Sequence, residues 1–157
     1  MTGRIRIDGQ SIPFAEGQTV MQAAEDSGVH IPHLCYHADY EANGSCKMCT
    51  CKINGRQVSS CTTRAADGMV IESNTAELNS ERRALAQMLF VEGNHHCPSC
   101  EHSGNCVLQS QAYKLGMTAL IFPDFTTGRE TDASHPDILL NRDRCIYCEL
   151  CVRASRD

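Results

Sequence analysis

Residues 35–61, CYHADYEANGSCKMCTCKINGRQVSSC, place four cysteines in the spacing Cys35-x10-Cys46-x2-Cys49-x11-Cys61 around the dipeptide Asn54-Gly55. Asn-Gly between two short runs, Thr50-Cys51-Lys52-Ile53 and Arg56-Gln57-Val58, is the strongest short hairpin signal, because both residues accept the positive φ of a type I′ turn. Cys46 and Cys49 can reach one point from a single tight loop, and Gly44 with the small Ser45 gives the backbone freedom beside Cys46. Cys35 and Cys61 must then approach from the preceding loop and the following strand. Four thiolates arranged in this way can hold a [2Fe–2S] cluster, two on each iron. A structural zinc site competes with this reading, but zinc sites usually join two short knuckles and only one pair is close here. Unliganded buried cysteines are a third reading. Cys51, two residues beyond Cys49 on the strand, reads as a core or surface thiol and not as a ligand.

Working outward, Arg4-Ile5-Arg6-Ile7 alternates polar and apolar, Asp8-Gly9 is a turn, and Ser11-Ile12-Pro13-Phe14 returns as a second strand. Thr19 with Gln22 forms a capping-box pattern, and Gly28 stands where the helix would stop. Val20, Ala23, Ala24 and Val29 would face the sheet. Met69-Val70-Ile71-Glu72 reads as the last strand. Asn74 is expected to cap a second helix with Glu77 in its first turn, presenting Leu78, Leu85, Met88 and Leu89 as one core stripe with Arg82 and Arg83 largely off it. Gly93 ends that helix, and a further helix is expected from Cys106 to about Leu115. Residues 116–140 are rich in turn formers, such as Pro123-Asp124, Thr126-Thr127-Gly128 and His135-Pro136, and read as a linker or covering segment.

Two more cysteine groups follow. Cys97-x2-Cys100-x5-Cys106 is preceded by His95 and His96, and Cys145-x2-Cys148-x2-Cys151 lies near the end. Ten of the eleven cysteines fall into the three groups, so the sequence reads as a row of iron–sulfur sites in a protein that moves electrons. Aromatic residues make up 5% of the chain and Trp is absent, a thin core that metal sites could staple. The net charge of −5 without a basic run argues against nucleic acid as a partner. No stretch approaches the roughly 18 apolar residues of a membrane span. The N-terminus shows no apolar signal core, so a reducing cytoplasmic setting is expected, where cysteines bind metals more often than they pair.

The β-grasp pattern with C-x10-C-x2-C-x11-C resembles the N-terminal ferredoxin domain shared by the large iron–sulfur subunit of respiratory complex I, some iron-only hydrogenases, and the small diaphorase subunit of NAD-reducing nickel–iron hydrogenases. Residues 93–109 (GNHHCPSCEHSGNCVLQ) resemble the [4Fe–4S] module that follows it in those families and uses one histidine and three cysteines. Many members place that histidine four residues before the first cysteine, which here is Gly93. The stretch Glu92-Gly93-Asn94-His95 followed by Cys97-Pro98-Ser99-Cys100 looks most like the diaphorase variant. In extended chain, residues two apart share a side, so His95 is favoured over His96 as partner of Cys97, Cys100 and Cys106; His102 is a poorer candidate. The bland alternative is a zinc knuckle. Cys145, Cys148 and Cys151 resemble the opening of a ferredoxin-like [4Fe–4S] motif. A compact motif would place its fourth cysteine at 155, where Ser155 stands, and the resemblance puts it far downstream; we expect a fragment of a longer subunit, the alternative being an incomplete site whose cysteines are free thiols.

The expected architecture is α+β. It comprises a β-grasp [2Fe–2S] ferredoxin domain (1–74), a small mainly helical [4Fe–4S] domain with one histidine and three cysteine ligands (75–116), a linker (117–140), and the start of a ferredoxin-like [4Fe–4S] segment (141–157). No G-x-G-x-x-G follows a strand, so the chain is not expected to oxidise NADH or hydrogen itself. The resemblance implies a non-catalytic electron-relay subunit of an NAD(H)-linked oxidoreductase, between a flavin/NAD(H)-binding diaphorase subunit and nickel–iron hydrogenase subunits. The first alternative is the N-terminal part of a complex I large subunit or an iron-only hydrogenase; an alternative of another class is a zinc-stapled interaction module.

Overall fold

The structure is a computed structural model that describes residues 3–156. It divides into two compact units: the chain up to Ser80 together with the residues from Cys148 onward, and Glu81–Tyr147.

In the first unit, β1 (Gly3–Ile7) and β2 (Gln10–Phe14) form the expected hairpin, with Ile5 opposite Ile12. Its turn is left-handed at both positions, φ 48° at Asp8 and 87° at Gly9, as a type I′ turn requires. Helix α1 (Val20–Asp26) starts with both halves of the capping box: Thr19 Oγ1 accepts the Gln22 amide at 3.2 Å, and Gln22 Oε1 accepts the Thr19 amide at 2.9 Å. Two further strands, β3 (Thr50–Ile53) and β4 (Arg56–Ser59), pair antiparallel across Asn54-Gly55. Strand β5 (Val70–Glu72) lies parallel to β1 and antiparallel to β3, giving the mixed order β2-β1-β5-β3-β4. Ile5, Ile7, Ile12 and Ile71 pack with Val20, Met21, Ala23 and Ala24 in one buried cluster. This is the grasp: a mixed sheet holding one short helix on its apolar face.

The Asp8 side chain accepts the amides of Ser73 at 2.7 Å and Asn74 at 3.3 Å, so the first turn of the chain holds the lead-in to α2 (Ala76–Glu92). The cap of that helix falls to Thr75, whose Oγ1 accepts the Leu78 amide at 3.2 Å, and not to Asn74, whose side chain accepts from Asn79. Its buried face also differs from the expected stripe. Leu78, Arg82, Ala86, Gln87 and Val91 are buried, whereas Met88 is 49% exposed. A stripe read from apolar residues alone cannot register a buried polar position. Gln87 is buried because it is satisfied: its Nε2 donates to the Ala119 carbonyl at 2.6 Å and its Oε1 accepts the Ile121 amide at 3.0 Å.

The second unit continues with a 3₁₀ turn at Cys97–Ser99 and helix α3 (Val107–Lys114). The segment read as a linker contains a two-stranded hairpin, β6 (Asp132–His135) with β7 (Ile138–Leu140), turning at Pro136-Asp137. It is also anchored. The Phe125 amide donates to the Val91 carbonyl at 2.8 Å, and Arg129 is bound to the Glu92 carboxylate. Helix α4 (Leu150–Arg156) returns to the first unit. Among the described residues no helix is long and apolar enough to cross a membrane.

Adjacent residues of β5 give a direct check on which face is core. Ile71 is 1% exposed and Val70 is 49% exposed. Ile71→Ala should lower the unfolding free energy of the reconstituted protein by about 2–5 kcal/mol. Val70→Thr, which keeps β-branching on the exposed face, should change it by less than about 0.5 kcal/mol in anaerobic denaturant titration.

Candidate metal centres

The β3–β4 turn sets the first site. With φ of 49° at Asn54 and 81° at Gly55, Thr50 lies opposite Ser59, and the Ser60 amide then donates to the Cys49 carbonyl at 3.2 Å. That register brings Cys49 and Cys61 together, with their sulfur atoms 3.3 Å apart. The loop before β3 turns through left-handed residues at Gly44 and Lys47 and delivers Cys46 to Cys35, to which its thiol is hydrogen-bonded. A Cβ on Gly44 would lie 3.1 Å from Thr62 Cγ2, so this turn runs close against the segment after Cys61.

Cys35, Cys49 and Cys61 are buried and Cys46 is half-buried. The hydrogen bond from Cys46 holds the Cys35 thiol down at about 5 against its burial. The hydrogen bond with Cys61 likewise holds Cys49 at about 6. Cys46 and Cys61 are pushed up by those bonds and then by burial. Cys61 also feels the charges of Cys49, Cys35 and Cys46, which puts all four sulfurs in one electrostatic neighbourhood. Buried thiols that polarise one another in pairs fit a cluster with two sulfur ligands per iron. Cys51 lies in the apolar core with its Sγ 3.5 Å from the Cys49 carbonyl, the core alternative of the two expected for it.

In the second unit, His95, Cys97, Cys100 and Cys106 line one cavity with Phe90, Ser103, Leu108 and Gln109. Neither His96 nor His102 lines it. The His96 ring instead lies 3.0 Å from the Ser99 hydroxyl, and His102 is exposed. The Cys97–Ser99 turn has its Pro98 in the first turn, where no intrahelical amide is needed, and the Cys100 amide closes it onto the Cys97 carbonyl at 3.2 Å. Cys106 stands at the N-cap of α3, and Gln109 in its first turn accepts the Gly104 amide at 2.6 Å, fixing the loop between Cys100 and Cys106. Burial, followed by the charge of Arg144, holds His95 below the ordinary histidine value and therefore neutral, as a metal-binding imidazole must be.

Gly93 explains how His95 gets there. A Cβ at this position would lie 2.7 Å from His95 Nε2, 2.9 Å from its Cδ2 and 2.5 Å from the Asp143 carbonyl. The imidazole of residue 95 folds back into the space that a side chain at 93 would occupy, with Phe90 against it edge to face at 5.8 Å. The sequence offered a signal for this, a glycine followed two residues later by histidine, but only a side-chain view gives it meaning.

The third group is divided by the boundary between the units, Cys145 on one side and Cys148 with Cys151 on the other. Tyr147 and Glu149 flank Cys148 in left-handed conformations, φ 53° and 57°. Sequence reading missed Arg153 altogether. It is 4% exposed, and its guanidinium donates to the Glu41 carbonyl at 2.9 Å, the Cys148 carbonyl at 3.0 Å and the Cys35 carbonyl. Nothing but its place after Cys151 could have marked it. Among the described residues, no three His, Cys, Asp or Glu side chains converge as a lone metal ion would require.

Comparison with known proteins bears on the same segments. Residues 3–76 match the 2Fe-2S iron-sulfur cluster binding domain family, and residues 82–119 match the NADH-ubiquinone oxidoreductase-G iron-sulfur binding region. The cofactors of these regions are a [2Fe–2S] and a [4Fe–4S] cluster. The G subunit of the NADH-quinone oxidoreductase of Rickettsia typhi is 35% identical over 98% of this chain, which covers 23% of that protein. A crystal structure of an NAD+-reducing [NiFe]-hydrogenase in the H2-reduced state contains a chain 49% identical, with a TM-score of 0.93 over 98% of this chain and 66% of that one. The gamma subunit of the NAD-reducing hydrogenase HoxS of Cupriavidus necator is 43% identical over 100% of this chain, which spans 67% of that protein. With that identity along its whole length, the chain belongs to the family of gamma subunits of NAD-reducing hydrogenases.

Proposed function

We propose that this chain relays single electrons between a flavin/NAD(H)-binding diaphorase subunit and a nickel–iron hydrogenase, without a substrate site of its own. The observation that carries this reading is the presence of two separate ligand sets, four paired thiols in the first unit and one histidine with three cysteines around one cavity in the second. When bound, the two clusters would supply reversible one-electron storage. The chain's own residues do the rest. Cys35, Cys46, Cys49 and Cys61 hold the [2Fe–2S] cluster, and His95, Cys97, Cys100 and Cys106 hold the [4Fe–4S] cluster. Cys145, Cys148 and Cys151 begin a further [4Fe–4S] site. His95, a neutral ligand in place of a thiolate, removes one negative charge and so raises the potential of its cluster. Burial of the thiols keeps water from the clusters and adds to that tuning.

Three outcomes follow from this assignment. Reconstituted anaerobically with iron and sulfide, the Cys51→Ser chain should keep its [2Fe–2S] absorption and EPR signal, whereas Cys49→Ser should lose most of it. His95→Ala should lose the [4Fe–4S] cluster or convert it to a three-iron form, and His96→Ala should spare it. Gly93→Ala should behave like His95→Ala although it removes no ligand, because its Cβ would meet both the imidazole and the Asp143 carbonyl; a fully loaded Gly93→Ala site would refute that geometry. For the relay itself, co-expression with the flavin/NAD(H)-binding subunit should give a brown complex whose NADH:acceptor activity exceeds that of either chain alone at least tenfold. Additive activities would refute the relay.

A further inference from the structure

The first unit carries a buried cation that neither ligand set uses. Arg153 is 4% exposed, and the acceptors of its side chain are all main-chain carbonyls: Cys35, Glu41 and Cys148, with Glu149 3.4 Å from Nε. Two of these lie on the loop that carries the first cluster's ligands, and two belong to the third cysteine group, more than one hundred residues later. The same two segments meet again where the Asn43 amide donates to the Glu149 carboxylate at 2.7 Å. Removing a guanidinium from water is costly unless its donors are satisfied, and here four carbonyls satisfy it while leaving its charge uncompensated by them. A charge in that position, bonded to the carbonyl of a ligand cysteine, acts through a low-dielectric medium and is weakly screened by salt.

We infer that Arg153 is the positioning residue of the [2Fe–2S] site. It fixes the Cys35–Glu41 segment against the third cysteine group, and its charge raises the potential of the cluster held by Cys35. The electrostatic part follows from sign alone. One-electron reduction adds a negative charge to the cluster, and a buried cation beside one of its ligands favours the reduced form. The inference rests on the [2Fe–2S] assignment proposed above.

The test is an EPR-monitored redox titration of the full chain, reconstituted anaerobically. The [2Fe–2S] signal is read at a temperature where [4Fe–4S] signals have broadened, and iron and sulfide are determined in parallel. Arg153→Met should shift the one-electron equilibrium toward the oxidised cluster about tenfold, a midpoint about 59 mV more negative. Arg153→Lys, which keeps the charge but loses the multiple donors, should stay within about threefold of the parent and show a broadened signal from a less fixed loop. If Arg153→Met does not load, Arg153→Gln carries the same comparison. Midpoints of loaded neutral variants equal to that of the parent overturn the inference, as does failure of the Met, Gln and Lys variants alike to load a cluster that the parent loads, which would make the residue structural only. A parent chain that takes up no [2Fe–2S] cluster overturns the site itself and the inference with it.

Discussion

Mutual repulsion among buried sulfurs is the constraint around which the first unit is built. Thiolates gathered in a space from which water is excluded cannot all be ionised without a cation to neutralise them, and in this chain the sulfurs are hydrogen-bonded in pairs, Cys46 with Cys35 and Cys61 with Cys49. Such an arrangement fits a metal site. The pairing of the sulfurs follows from local backbone geometry. A type I′ turn at Asn54-Gly55 sets a strand register, the register brings residue 61 to residue 49, and a left-handed turn at Gly44 returns the loop to residue 35. The sheet and its helix hold that loop steady. The proposed ligands come from the segment between α1 and β3 and from the residues after β4, so the core can be thin without letting them drift.

The second unit solves a different problem with different means. Its proposed ligands come from short turns and a helix N-cap, with few regular elements between them. Side chains replace the missing ladder. Gln87 fixes the segment at residues 119 and 121, Gln109 fixes the loop at Gly104, and Arg129 binds the end of α2 through Glu92. Each of these bonds satisfies a polar group that would otherwise be stranded in or near the interior. The unit is held together by polar contacts to the main chain as much as by apolar packing.

The parts of this architecture that could be read from sequence are those governed by local rules. Turn chemistry placed both hairpins of the first unit, the capping box placed α1, and cysteine spacing grouped the sulfurs. Long-range satisfaction of polar groups was invisible. Nothing local indicates that Arg82 and Gln87 are buried while Met88 is exposed, because the partners of Gln87 lie more than thirty residues away. Arg153 is the extreme case, with an acceptor 118 positions earlier. The hairpin at 132–140 was hidden for another reason: its strands are short and nearly all exposed, so they lack the apolar alternation by which strands announce themselves. The preference for His95 came from simple alternation, and the cavity lining contains the same residue.

The contest between Gly93 and the ring of His95 for one volume makes the two positions mutually exclusive. In this backbone a Cβ at 93 would also meet the Asp143 carbonyl at 2.5 Å, so a ring at 93 requires the main chain there to shift as well. Ligand position in such a motif behaves as a switch with two settings. A lineage moving from one to the other by single replacements must pass either through a crowded form, with both side chains present, or through a bare one with neither. Both are poor at holding a cluster. Each setting is therefore hard to leave by single replacements.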